Sequence, residues 1–279
     1  MKYFIDTNLA NTLRLHPNVV FLDCRFQLAD SSYGYKAYVK NHIPHARFVD
    51  LKNDLSSEVQ KHGGRHPLPD VNDFSELLGK LGIDQNTIVI CYDDGFLDNA
   101  ARCWFLCRLV GHQFTFVLNG GYKEWIENGF EVTEEIANVT PKKFEANIND
   151  HMVSFISDVK EKQFNDNVNL IDSREYIRYK GEVEPIDRIA GHIPGAKHSF
   201  WKDVINEKNG RIKSKEELQN HYKHFSKDKE TIVYCGSGVT GCVNYLGLIE
   251  AEYPNVKLYA GSFSDWISYE ENVVNKVDL

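Results

Sequence analysis

The chain has 279 residues, of which 42% are apolar and 26% charged, and its formal net charge is −8. That length suits two ordinary domains, each with its own core, and the composition is that of a globular chain. A net negative balance leaves no basic footprint for nucleic acid or an anionic membrane surface, so an anionic substrate has to be drawn by local arginines.

The opening residues MKYFID contain no apolar core of signal-peptide length. No later run approaches the ~20 residues of a membrane span, and the expected location is the cytoplasm. Cysteines at 24, 91, 103, 107, 235 and 242 show neither paired CxxC units nor histidines at zinc-ligand spacing. Cys103 and Cys107 lie four apart beside Trp104, Phe105 and Leu106, which reads as the packed face of a helix. No metal site is expected, and a reducing compartment suits these thiols.

In chain order, residues 19–25 (VVFLDCR) form an apolar run closing on an acid and a base, the pattern of a buried strand. Residues 42–46 (HIPHA) follow as an extended proline turn. Next come a helical stretch from 73 to 81, a strand ending at residues 90–93 (ICYD), and residues 121–125 (GYKEW). All four landmarks recur in the same order about 140 to 150 residues later, which indicates an internal duplication. The second set is residues 168–174 (VNLIDSR), 192–196 (HIPGA), 232–235 (IVYC) and 261–266 (GSFSDW), with a helical stretch from 215 to 225. Each copy alternates short strands with helices, so each reads as an α/β domain with a mostly parallel sheet flanked by helices. The expected division is a domain over 1–135, a polar linker over 136–149 and a second domain over 150–279. Asp23 with Arg25, Asp172 with Arg174, and His42 and His192 recur in both copies, and they are read as structural ion pairs and hydrogen-bonding groups.

The copies differ at one place. In the second, a strand over 231–234 runs into Cys235-Gly236-Ser237-Gly238-Val239-Thr240-Gly241-Cys242, followed by an apolar helix over 243–249. Glycines at that spacing let the chain curl so that backbone N–H groups converge on the cysteine, with a helix N-terminus behind them. Such a nest favours a thiolate, and Cys235 is the candidate nucleophile. In the first copy Asp93 stands at that position, so this domain is expected to be catalytically silent.

The six residues Cys235 to Thr240 resemble the active-site loop of the rhodanese superfamily, in the form found in 3-mercaptopyruvate sulfurtransferases. The resemblance covers nearly the whole chain and implies two tandem rhodanese-like domains. It also implies a ping-pong sulfur transfer through a Cys235 persulfide to cyanide, a thiol or a protein thiol, with no metal or organic cofactor. The persulfide would be held by the loop of Gly236, Ser237, Gly238, Val239, Thr240 and Gly241, and Ser237 would polarise the donor carbonyl or help move a proton. Thr240 is expected to cap the loop or the next helix, and Cys242 to be buried in that helix.

Thiosulfate-preferring relatives carry basic residues where this chain has Gly236 and Ser237, so the neutral loop favours 3-mercaptopyruvate; thiosulfate is the alternative donor, and a non-enzymatic persulfide carrier the alternative role. Arg178 resembles the family's first substrate arginine. The second normally follows a Glu-Pro, where this chain has Ile186, with Arg188 two residues further on. The glycine-rich segment over 63–69 (GGRHPLP) resembles a loop that in the family covers the cleft between domains, which makes Arg65 and His66 candidates for substrate contact. Cysteine phosphatases of related fold need an arginine at position 241, which is glycine here.

Overall fold

The computed structural model describes residues 1–277. It divides into two compact units. The first comprises Met1–Ser57, Pro69–Asn149 and Asn206–Ile212, and the second comprises Glu58–Leu68, Asp150–Ile205 and everything described from Lys213 onward.

In the first unit the strands are β1 (Phe4–Ile5), β2 (Val19–Asp23), β3 (Arg47–Phe48), β4 (Ile88–Tyr92) and β5 (Thr115–Leu118), in the order β1-β5-β4-β2-β3. Every pair is parallel. Helices α1 (Thr7–Leu13), α2 (Tyr33–Lys40), α3 (Val71–Lys80) and α4 (Asp98–Leu109) make the crossovers, and α5 (Gly121–Glu127) follows the last strand. β2 and β4 are buried almost throughout, which is why their sequences are continuous apolar runs and do not alternate. The second unit repeats the plan with β6 (Val153–Ser154), β7 (Val168–Asp172), β8 (Lys197–His198), β9 (Glu230–Tyr234) and β10 (Val256–Tyr259), again all parallel, in the order β6-β10-β9-β7-β8. Its helices are α6 (Ile156–Lys162), α7 (Tyr176–Lys180), α8 (Lys215–Tyr222), α9 (Gly241–Glu250) and α10 (Ser262–Trp266).

Helix boundaries moved where caps decide them. α3 begins at Val71, two residues before the expected start, because the Asp70 carboxylate accepts from the N–H groups of Asn72 and Asp73. α8 opens on a capping box between Ser214 and Glu217.

The register repeats as well. Asp23 faces Tyr92 and Asp172 faces Tyr234 across neighbouring strands. Arg25 and Arg174 fork onto Asp23 and Asp172, each with a shortest distance of 2.6 Å. His42 and His192 stack on Tyr38 and Tyr179 at 4.0 Å and hydrogen-bond the carbonyls of the same tyrosines, so both are structural. Trp125 and Trp266 are buried, and each donates its indole N–H to a carbonyl at 2.9 Å. In the first core Cys24, Cys91 and Cys103 bring their sulfur atoms within 4.8 Å of one another, where the thiols pack as small apolar groups.

Candidate active site

β9 is the central strand of the second sheet, and Cys235 is the first residue beyond its carboxyl end, where open parallel sheets place their ligands. Its side chain is almost fully buried. The N–H of Gly238 donates to the sulfur at 3.1 Å, which curls the loop around that atom. The curl depends on Gly238, whose φ is +78° and where a Cβ would stand 2.2 Å from the Ala260 carbonyl oxygen. The loop is pinned from the other side by the start of α10. The N–H groups of Phe263 and Ser264 donate to the carbonyls of Cys235 and Gly236, both at 3.0 Å. The Ser262 hydroxyl accepts from the Cys235 N–H at 3.1 Å and lies 4.0 Å from the sulfur. Cys242 is buried in α9, its thiol directed at the Gly238 carbonyl. Thr240 occupies the N-cap position of α9 without a side-chain cap.

The matching position in the first unit shows what such a nest holds. The Asp93 carboxyl oxygens accept from the N–H groups of Gly95, Leu97 and Ala100 at 2.9 to 3.0 Å, so oxygen fills the place that sulfur has in the second unit.

Segment 58–68 carries two of the expected contact residues to the loop. The Gly63 N–H donates to Asp265 at 2.7 Å, His62 stacks on Tyr269 at 4.0 Å, and the Arg65 N–H donates to Ser264. Gly64 is required there, since a Cβ would meet the Gly261 carbonyl at 2.3 Å. So anchored, His66 places Nδ1 2.8 Å from the Ser237 hydroxyl, with both side chains buried. Arg65 reaches over Gly236: a Cβ added to that glycine would be 2.8 Å from Nη2 of Arg65 and 3.7 Å from Nη2 of Arg178. The Nε of Arg65 is buried without a hydrogen-bond partner.

Both arginines are held by acids. Glu184 accepts a bidentate pair from Arg178, Nε at 3.0 Å and Nη2 at 2.7 Å. Asp187 accepts from Arg178 at 3.0 Å through one oxygen and from Nη1 of Arg65 through the other. Burial works against charge on Glu184, but hydrogen bonds from Arg178 and from the N–H groups of Asp187 and Ile186 outweigh it and hold this carboxyl below its ordinary value. Burial pushes the Asp187 carboxyl above its ordinary value, with Arg65 and Arg178 pulling the other way. Arg188 is exposed and donates to the Ile267 carbonyl. The structure thus gathers Cys235, Ser237, His66, Arg65 and Arg178 around one loop and ties Arg188 to the segment after α10.

Residues 8–128 and 155–269 each match the Rhodanese-like domain. The chain belongs to the rhodanese family. It is 38% identical over 257 residues to a "Probable 3-mercaptopyruvate sulfurtransferase" of Pseudomonas aeruginosa, covering 90% of each chain. It is 32% identical over 262 residues to a "Thiosulfate sulfurtransferase" of Mus musculus, covering 91% of this chain and 86% of that one. Among solved structures, the 3-mercaptopyruvate sulfotransferase SseA of Escherichia coli superposes with a TM-score of 0.84 at 30% identity, over 95% of this rhodanese and all of that chain. This rhodanese is therefore an enzyme of the sulfurtransferase class. Among the described residues no helix is long and apolar enough to cross a membrane.

Sequence reasoning missed Glu184, Asp187 and Ser262. Buried acids six and nine residues beyond Arg178 leave no periodic signature. Ser262 acts through a left-handed backbone, φ 57°, that its residue type does not announce.

Proposed function

We propose that this enzyme transfers sulfur from 3-mercaptopyruvate, through a persulfide on Cys235, to cyanide, a small thiol or a protein thiol. The Cys235 thiolate attacks the donor sulfur, and the carbon–sulfur bond breaks with its electron pair passing to carbon as an enolate. That carbon takes up the proton of the donor thiol to give pyruvate. The new sulfur–sulfur bond leaves a persulfide, whose outer sulfur is held by N–H groups of the loop from Gly236 to Gly241, that of Gly238 being already directed at sulfur. The acceptor then attacks the outer sulfur and the Cys235 thiolate returns.

The observation that carries the choice of donor is the hydrogen bond between His66 and Ser237 beside the cysteine. The pair forms a path for the proton that must travel from sulfur to carbon, and the Ser237 hydroxyl is placed to polarise the ketone. Thiosulfate needs neither service, because its sulfur–sulfur bond breaks to release sulfite with no carbon to protonate. Arg178 and Arg65, whose terminal nitrogens lie over Gly236, would bind the donor carboxylate. Arg188, two residues past the place of the family's second arginine, would steady the 185–189 segment through Ile267.

The division of labour follows from the two nests. The domain over 1–135 is silent because Asp93 cannot form a persulfide and fills its nest with its own carboxyl oxygens; 136–149 is a linker, and 150–279 carries the nucleophile, to which segment 58–68 brings Arg65 and His66. Six free, buried cysteines support a reducing cytoplasm. The net charge of −8 supports small molecules and thiols, not nucleic acid or membrane, as partners.

Thiosulfate is the second reading, favoured by the two guanidinium groups over the loop. Steady-state transfer to cyanide from each donor in parallel decides. We expect kcat/KM for 3-mercaptopyruvate to exceed that for thiosulfate by about ten-fold or more, roughly 1.4 kcal/mol. The reverse order would reject the donor assignment. Arg178→Ala is expected to raise the KM for 3-mercaptopyruvate about ten-fold or more with a smaller fall in kcat. An unchanged KM with undiminished persulfide formation would favour a carrier over an enzyme with a donor pocket.

A further inference from the structure

The loop itself is neutral, yet Arg65 and Arg178 stand directly over it. What balances them is the pair of acids beneath. Arg65, Arg174 and Arg178 form one connected cluster with Asp172, Glu184 and Asp187, three cations against three anions. Within it, Asp172 serves the buried Arg174, and Glu184 bridges Arg174 and Arg178. Only Asp187 touches both guanidinium groups that overhang Gly236, one oxygen to each, and its side chain is 2% exposed.

We infer that Asp187 is the specificity-determining residue of this site: by holding the cradle over Cys235 at zero net charge, it selects a singly charged carboxylate donor over a dianion. The inference rests on the donor reading above. A buried carboxylate acts on a bound anion in proportion to the anion's charge, because little water lies between them to screen it. Thiosulfate carries two negative charges and 3-mercaptopyruvate one on its carboxylate, so the repulsion from Asp187 falls more heavily on thiosulfate. Asp187 also orients Arg65. It does so through Nη1, while Nη2 of the same guanidinium lies over Gly236.

The test is Asp187→Asn, which keeps the shape and removes the charge, compared with Asp187→Glu, which keeps the charge. The reading is the ratio of kcat/KM for thiosulfate to kcat/KM for 3-mercaptopyruvate, with inorganic sulfate as an unreactive competing dianion. For Asp187→Asn we expect the ratio to rise by about ten-fold or more and sulfate to inhibit at lower concentration. For Asp187→Glu we expect a ratio within about three-fold of the parent. An unchanged ratio in Asp187→Asn, including an equal loss with both donors, would overturn the inference. If that variant does not fold, Asp187→Ser, smaller and also neutral, is read in the same way. A parent enzyme that prefers thiosulfate would reject the donor assignment while the direction of the shift would still test Asp187.

Discussion

Cys235→Ser is expected to abolish sulfur transfer from both donors, with kcat falling by about 10⁴-fold or more, the scale seen when a covalent nucleophile is removed. The side chain is nearly isosteric and the Gly238 N–H that now meets sulfur at 3.1 Å can meet the hydroxyl, so the fold is expected to survive. What is lost is chemical. An alcohol is a far poorer nucleophile towards sulfur than a thiolate, and an oxygen–sulfur adduct is no substitute for a persulfide. Thiocyanate production measures the loss. Mass spectrometry of protein treated with donor and no acceptor gives the second reading: the parent should gain the mass of one sulfur atom and the variant none. Sulfur uptake by the variant would move the nucleophile to another cysteine. The remaining five are buried, with Cys242 engaged with the Gly238 carbonyl, so none offers an obvious replacement.

Gly238→Ala should do nearly as much damage by a different route. The added methyl group would sit 2.2 Å from the Ala260 carbonyl oxygen, and the backbone there is left-handed at φ +78°. The neighbour is main chain at the end of β10, not the tip of a flexible side chain, so the loop has to yield. A left-handed alanine costs about 1–2 kcal/mol before any clash is counted, and the expected loss of stability is about 2–4 kcal/mol. Displacing the loop moves the Gly238 N–H off the sulfur and Ser237 away from His66, so kcat/KM is expected to fall about 100-fold with either donor. Thermal unfolding and steady-state transfer measure the two effects. Full activity in a destabilised variant would mean that the curl around sulfur serves folding alone.

The duplication and the parallel sheets were legible because each leaves a local trace. Buried parallel strands are continuous apolar runs, as in VVFLD and VNLID. The Asp-x-Arg pairs recur because each closes the same strand end. Helix starts were less legible, since Asp70 caps α3 from outside the periodic pattern.

The arrangement around the cysteine is another matter. That Arg65 and His66 reach the loop depends on segment 58–68 packing in the second unit, on the hydrogen bond from Gly63 to Asp265 and on the close approach of Gly64 to Gly261. Spacing along the chain offered Arg188 as the second arginine; the folded chain brings Arg65 over Gly236 and turns Arg188 onto Ile267. The sequence by itself determined the architecture and the family, because backbone propensity, burial pattern and loop composition are properties of neighbouring residues. Tertiary structure alone decided which charges meet. Electrostatic pairing acts through space between groups as far apart in the chain as Arg65 and Asp187.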